Sequence, residues 1–346
     1  MRLSLEELTA DIDDDFKEVV ASLNQIFSYA AGLKKGRATH TYGVAARGEA
    51  RCIVSPGFPE NDFFKFGQCH PMILRHSSPG GERDDRTRDG CAAAVKLFEP
   101  GSDDTSGEGS LDILMNAGRQ LFVRNIRDFL TMVQAPLEQR TELCKQGLIM
   151  GQELTEAYRI RGSFVDYRYH TWSCFEFTDA SGKMQYIRFR LIPGHRGAEG
   201  GLPPADFYCE GQLTKPPVDG DPRAEDFLRQ DFIYRVNHSD IRYILQAQLH
   251  EPEKPAVENS EVLNPAIAWD ENFYPWFDLF EISVQEIMVN NEEVSDLTMD
   301  PNRSPQCIKI PLATSPDHYA SLGQARAIVY PVARSKRRES EAPQTN

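Results

Sequence analysis

Apolar residues recur at helical spacing between Asp11 and Lys35, where Phe16, Val19, Val20, Leu23, Ile26 and Phe27 share a face. Acidic residues crowd the start of this stretch, and Lys34, Lys35 and Gly36 mark its end, so a helix is predicted over Asp11–Lys35. The pattern then changes to period two. Thr39–Ala46 and Glu49–Val54 are predicted as strands separated by Gly48, and Pro56, Gly57 and Pro59 stop the second. Pro71–His76 is a short strand candidate. Cys91–Phe98 is an apolar run between a charged loop and an acidic one, and Leu111–Asn116 is a strand ending in a polar residue. Helices are expected between Phe129 and Arg161.

The middle of the chain turns to strands. Thr171–Phe177 and Tyr186–Ile192 are joined by Asp179-Ala-Ser-Gly182, a hairpin signal. In the second strand Ile187, Phe189 and Leu191 share one face, and Tyr186, Arg188 and Arg190 the other. His195–Pro204 is a Gly/Pro-rich loop, and Arg223–Val236 is helical. Asp240–Leu249 and Leu279–Met288 alternate again. A final helix is expected from His318 to about Arg338, interrupted by Pro331, with a polar, disordered tail after it. Hairpins rather than βαβ crossovers predict an α+β chain with antiparallel strands and segregated helices. A closed barrel would hide the strand edges and leave a lumen for a cofactor.

Composition narrows the function. The chain has 346 residues, 40% hydrophobic and 26% charged, which suits an ordinary globular protein. A net charge of -14 argues against nucleic acid as a partner. No apolar run reaches the roughly 20 residues of a transmembrane span, and the acidic N-terminus lacks a signal-peptide pattern. The seven cysteines are scattered without C-x-x-C, so a cytoplasmic location with reduced thiols is expected.

Candidate chemistry lies near the two ends. On a helix, Arg326 and Tyr330 stand one turn apart. A guanidinium there favours the phenolate, and tyrosinate is a known axial ligand of haem iron. A surface arginine beside a core tyrosine is the plainer reading. Thr39 and His40 open a strand, Asn116 closes another, Phe129 follows shortly after, and Arg37 and Arg75 are isolated arginines beside apolar segments. Taken singly, His40 also reads as a structural histidine, Asn116 as a strand cap, and the two arginines as surface residues.

Together these stretches resemble the catalase-related allene oxide synthases, the haem domains fused to lipoxygenases in corals. Arg37-Ala-Thr-His-Thr-Tyr-Gly43 resembles that family's distal segment, and Leu111-Asp-Ile-Leu-Met-Asn-Ala-Gly118 its distal asparagine segment. Gly182–Gly194 and Ala268–Leu279 resemble its middle blocks. Ser315-Pro-Asp-His-Tyr-Ala-Ser-Leu-Gly323 leads into Arg326 and Tyr330 as in the family. The likeness runs from about Arg37 to Arg338. It implies a catalase-like antiparallel β-barrel with flanking helices, and haem b with ferric iron between the barrel and the C-terminal helix. Residues 1–36 would form a helical arm, 37–338 the haem domain and 339–346 the tail.

The resemblance further implies that Tyr330 ligates the iron with Arg326 as its charge partner, and that His40 and Asn116 line the distal side. Phe129 would stack on the porphyrin, and Arg37 and Arg75 would pair with propionates. The implied activity is dehydration of polyunsaturated fatty acid hydroperoxides to allene oxides. A lipoxygenase, separate or fused, would supply the substrate, and a homodimer is admitted as the assembly. Ala117 in place of a hydroxyl residue, Pro331 after the ligand and the arginines after Asn116 depart from the family and leave the product open.

Thr39 bears on the choice of substrate. A hydroxyl before the distal histidine would restrain the imidazole by a hydrogen bond, which disfavours hydrogen peroxide disproportionation and a true catalase or peroxidase. Hydroperoxide lyase and epoxyalcohol synthase are the alternatives on the same scaffold. A haem carrier needs no distal acid-base pair, and no cysteine sits in a thiolate-haem motif.

Overall fold

A computed structural model describes residues 2–80, 83–87, 89–105, 107–150, 162–200, 220–252, 259–289 and 291–341. Ten strands occur in chain order: β1 Gly43–Cys52, β2 Cys69–Ser77, β3 Ala92–Leu97, β4 Leu111–Ala117, β5 Tyr169–His170, β6 Phe175–Thr178, β7 Met184–Pro193, β8 Ile241–His250, β9 Trp276–Ile287 and β10 Ile308–Lys309. The helices are α1 Leu5–Thr9, α2 Asp14–Lys34, α3 Ile126–Gln134, α4 Leu137–Lys145, α5 Phe227–His238, α6 Asn291–Asp296 and α7 Ser321–Glu341.

The strands form one antiparallel sheet in the order β10-β6-β7-β5-β4-β3-β2-β1-β9-β8, and a further pairing of β7 with β8 closes it. Eight strands thus make a barrel, with β6 and β10 as a flap on the lower half of β7. Alternation sets the two faces. Met72 and Leu74, Val95 and Leu97, Ile113 and Met115, and Ile187, Phe189 and Leu191 all join the interior core. Arg75, Ser77, Asn116, Arg188 and Arg190 therefore stand on the outer face. The lumen expected to hold a cofactor is filled by side chains. Phe58, Phe64, Phe177 and Phe280 pack at ring-centroid distances of 5.4 to 6.5 Å among themselves. An eight-stranded barrel is only just wide enough for its own side chains.

A second core lies outside the barrel. Phe16, Val19, Val20 and Leu23 of α2 pack with Ile126 and Met132 of α3 and with Leu322, Ala325, Ile328 and Val329 of α7. Asp13 caps α2 by accepting from Phe16 N at 2.7 Å, and Lys35 ends it in the left-handed region at φ 45°. The predicted N-terminal helix, the β6–β7 hairpin and the strands of the middle all form.

Three further expectations need correction. Gly48 does not divide two strands. It lies within β1 at a register shift against β9, where a Cβ would come 2.0 Å from the Ser283 carbonyl oxygen. Thr39 and His40 precede β1 in a bend rather than opening a strand. Pro331 does not interrupt the last helix. α7 runs through it to Glu341, three residues into the expected tail, because the packing of Ile328 and Val329 outweighs the missing N–H. The expected helical stretch 151–161 and the end of the loop at 201–204 lie outside the described residues, as does 342–346.

Candidate functional site

The site is built on the outer face of β1 to β4 and on α7. In register, Gly43 of β1 stands beside Ser77 of β2, Ser77 beside Ala92 of β3, and Ala92 beside Asn116 of β4. This row carries small side chains at Gly43 and Ala92, flanked by polar ones. A Cβ on Gly43 would lie 2.8 Å from the Arg75 guanidinium and 2.4 Å from the His76 carbonyl oxygen. Glycine there is what lets Arg75 lie across β1.

His40 is held at three points. Its N–H donates to Pro79 O at 3.3 Å, its carbonyl accepts from Arg75 at 2.8 Å, and its Nδ1 lies 3.1 Å from Ser77 Oγ. The backbone sits at φ 53°, an uncommon conformation for which histidine is among the more tolerant side chains. Burial, reinforced by the cations Arg75, Arg326, Arg37 and Lys34, pushes its pKa down to about 3. The residue as a whole is half-buried.

On α7, Arg326 donates to the Tyr330 hydroxyl at 3.3 Å, and its guanidinium carbon lies 5.4 Å from the ring centroid. The helix α2 that leads into His40 packs on α7 in the second core, so the two ends of the chain meet here. Arg75 is 5% exposed rather than a surface residue, and its Nε has no hydrogen-bond partner among the described residues. Burial and the neighbouring Arg337 push its pKa down to about 10. A buried guanidinium with an orphan donor and a like charge beside it calls for an anion. The two propionates of the haem implied by the resemblance fit that requirement.

The other assigned residues fall in mixed positions. Asn116 is half-buried beside Ala92 and makes no side-chain hydrogen bond among the described residues. Phe129 stacks on Phe27 of α2 with centroids 6.4 Å apart. Arg37 turns its guanidinium to the Val294 and Leu297 carbonyls at the end of α6. Thr39 is exposed, and no hydrogen bond from it to His40 occurs among the described residues. The hydroxyl that meets the imidazole is that of Ser77.

Ser77 and Arg337 were missed in the sequence. Arg337 hid in the basic run 334–338, although its spacing from Arg326 and Tyr330 places it on their helix face. The arginines after Asn116 are spent elsewhere: Arg119 pairs with Glu271 at 2.8 Å, Arg124 with Asp128 at 3.1 Å, and Arg127 with Asp15 and Asp317. Ala117 faces the barrel interior.

No family model matches the chain. It is 56% identical over 232 residues to the uncharacterized protein y4iK of Sinorhizobium fredii, covering 67% of this chain and 100% of that one. It is 30% identical over 321 residues to the linolenate 9R-lipoxygenase of Nostoc sp., covering 92% of this chain and 41% of that protein. It is 27% identical over 310 residues to the allene oxide synthase-lipoxygenase protein of Plexaura homomalla, covering 85% of this chain and 27% of that protein. The chain thus spans less than half the length of either lipoxygenase-named relative. Among solved structures, a fungal catalase superposes with a TM-score of 0.68 at 15% identity, over 87% of this chain and 59% of that one. The chain thus has the barrel fold of the catalases, and its sequence relatives include a linolenate 9R-lipoxygenase and an allene oxide synthase-lipoxygenase protein.

Proposed function

We propose that the chain is a haem enzyme that converts polyunsaturated fatty acid hydroperoxides to allene oxides, with haem b in the ferric state. The observation that carries this reading is the meeting of His40, the buried Arg75 and the Arg326–Tyr330 pair from opposite ends of the chain. The names of the relatives, an allene oxide synthase-lipoxygenase protein and a linolenate 9R-lipoxygenase, support it.

Haem, when bound, supplies an iron able to cleave a hydroperoxide O–O bond. Tyr330 would hold that iron, with Arg326 as counter-charge. Arg75 and Arg337 would take the propionates. Arg37 would join them, as the resemblance implies. Phe129 would pack on the macrocycle. Burial keeps His40 neutral at pH 7, and in the tautomer whose Nδ1 donates to Ser77 Oγ its Nε2 would accept the hydroperoxide proton. Asn116 and Thr39 would orient the hydroperoxide beside it. The oxygen nearest carbon stays in the epoxide, and the terminal oxygen leaves as water with the hydroperoxide proton and one proton from carbon. A lipoxygenase, separate or fused, would supply the substrate.

The test is product analysis of the haem-loaded protein with a panel of fatty acid hydroperoxides and with hydrogen peroxide. Allene oxides or their hydrolysis products are expected. Aldehydes would assign a lyase, epoxyalcohols an epoxyalcohol synthase, and comparable oxygen evolution from hydrogen peroxide a catalase.

A further inference from the structure

The first turn of α7 is fixed by two buried polar side chains that do not face the candidate site. Ser321, fully buried, donates to Pro316 O at 3.0 Å and accepts from Ile126 N at 3.1 Å. Gln324, 2% exposed, uses both ends of its amide. Its Oε1 accepts from Ala313 N at 2.6 Å, and its Nε2 donates to Leu8 O at 2.7 Å, across 316 positions of sequence. Leu8 lies in the last turn of α1, whose carbonyls have no partner within the helix.

The segment Gln324 grips is itself pinned to the far side of the fold. Leu3 exchanges hydrogen bonds with the Asn302 side chain at 3.3 and 2.8 Å. Arg2 pairs with Asp300 at 2.5 Å, and Asp13 N donates to Thr314 O at 2.8 Å. Residues 2–13 therefore form a strap across the start of α7. An α-helix turns by a fixed angle per residue, so an anchor that sets the rotation at Gln324 also sets the direction of Arg326 and Tyr330 on the same rigid element.

We infer that Gln324 is a positioning residue for Tyr330, and that the strap of residues 2–13 holds that ligand in place through the Gln324 amide. This rests on Tyr330 being the iron ligand of the proposed function. Loss of the joint would let α7 rotate or slide, so the phenol would sample several positions and the charge-paired ligand would become heterogeneous.

The test uses the full chain with three substitutions. Gln324→Met keeps the size and removes both hydrogen bonds. Gln324→Glu restores them only when protonated, since a carboxylic acid accepts from Ala313 N and donates to Leu8 O as the amide does. Burial raises such a carboxyl group's pKa, so the restored state is reached on modest acidification. Leu8→Ala opens the same core while leaving the backbone carbonyl in place.

Two readouts are taken. In haem-loaded protein, the ferric absorption and EPR spectra report the ligand. In the chain without haem, amide exchange at residues 325–330 reports the helix directly. Gln324→Met is expected to broaden the ferric signal and speed exchange at 325–330 about tenfold or more, as loss of two buried hydrogen bonds implies. Gln324→Glu is expected to match wild type at low pH and Gln324→Met at high pH. Leu8→Ala is expected to lower the melting temperature with the wild-type signal retained. Wild-type spectra and exchange in Gln324→Met, or an equal change in Leu8→Ala, would overturn the inference. Faster exchange in Gln324→Met alone, in a protein that binds no haem, would uphold the positioning and remove the haem reading instead.

Discussion

Ser77 Oγ lies 3.1 Å from Nδ1 of His40, so the imidazole is oriented from strand β2 and not from its own neighbour Thr39. A net hydrogen bond of about 0.5–1.5 kcal/mol corresponds to roughly a twofold to twelvefold change in population. Ser77→Ala should therefore lower hydroperoxide turnover per haem by about that factor. Thr39→Val should change it less than about twofold. The measurement is turnover of a fatty acid hydroperoxide and of hydrogen peroxide in both variants. A larger gain in hydrogen peroxide turnover from Thr39→Val than from Ser77→Ala would return control of the ring to Thr39.

Tyr330→Phe removes the phenol oxygen to which Arg326 donates at 3.3 Å. Stable haem binding should be lost, while the apoprotein keeps its fold, because Phe fills the same volume. Haem retained with unchanged absorption and EPR spectra would show that another residue holds the iron.

At Gly43 the limit is space. A Cβ would meet the His76 carbonyl oxygen at 2.4 Å, and that backbone is fixed in the β1–β2 ladder. Gly43→Ala should cost about 1–3 kcal/mol by overpacking. It should also displace Arg75 from the His40 carbonyl and weaken haem binding. Urea unfolding and haem titration measure the two effects. Unfolding unchanged within error would mean that β1 shifts freely at this point.

His40, His76 and His170 each have a pKa lowered by burial to about 3, with Arg75 adding to the effect at His40 and His76 and Arg190 at His170. Between pH 6.5 and about 3 the unfolded chain binds these protons and the folded chain does not. Stability must then fall as pH drops through that window and level off below it. For the buried His76 and His170 the loss is on the order of 3 kcal/mol each by pH 4. His76→Phe should reduce the pH slope of the urea-unfolding free energy by up to about 1.4 kcal/mol per pH unit. An unchanged slope would show that His76 takes up its proton in the folded protein.

The elements of this fold were largely legible in the sequence because burial imposes a period. Ile187, Phe189 and Leu191 alternate with Arg188 and Arg190 because one face of β7 fills the barrel. Phe16, Val19, Val20 and Leu23 recur at helical spacing because one face of α2 meets α7. The Arg326–Tyr330 contact was legible for the same reason, since one turn of helix fixes it. Gly48 misled because a glycine looks the same in sequence whether it breaks a strand or makes room for the Ser283 carbonyl. Pro331 misled because the cost of a missing hydrogen bond is local, while the packing that outweighs it comes from other helices.

The site itself was decided by tertiary structure. Nothing near Arg75 in sequence announces that it will be buried, lie over Gly43 and hold the His40 carbonyl. Ser77 reaches His40, and Gln324 reaches Leu8, only after the barrel closes and the N-terminal segment folds back over α7. Local periodicity records which face of an element is buried. Which polar groups meet at depth depends on how those faces are assembled, and a hydrogen bond between residues far apart in sequence leaves no period to read.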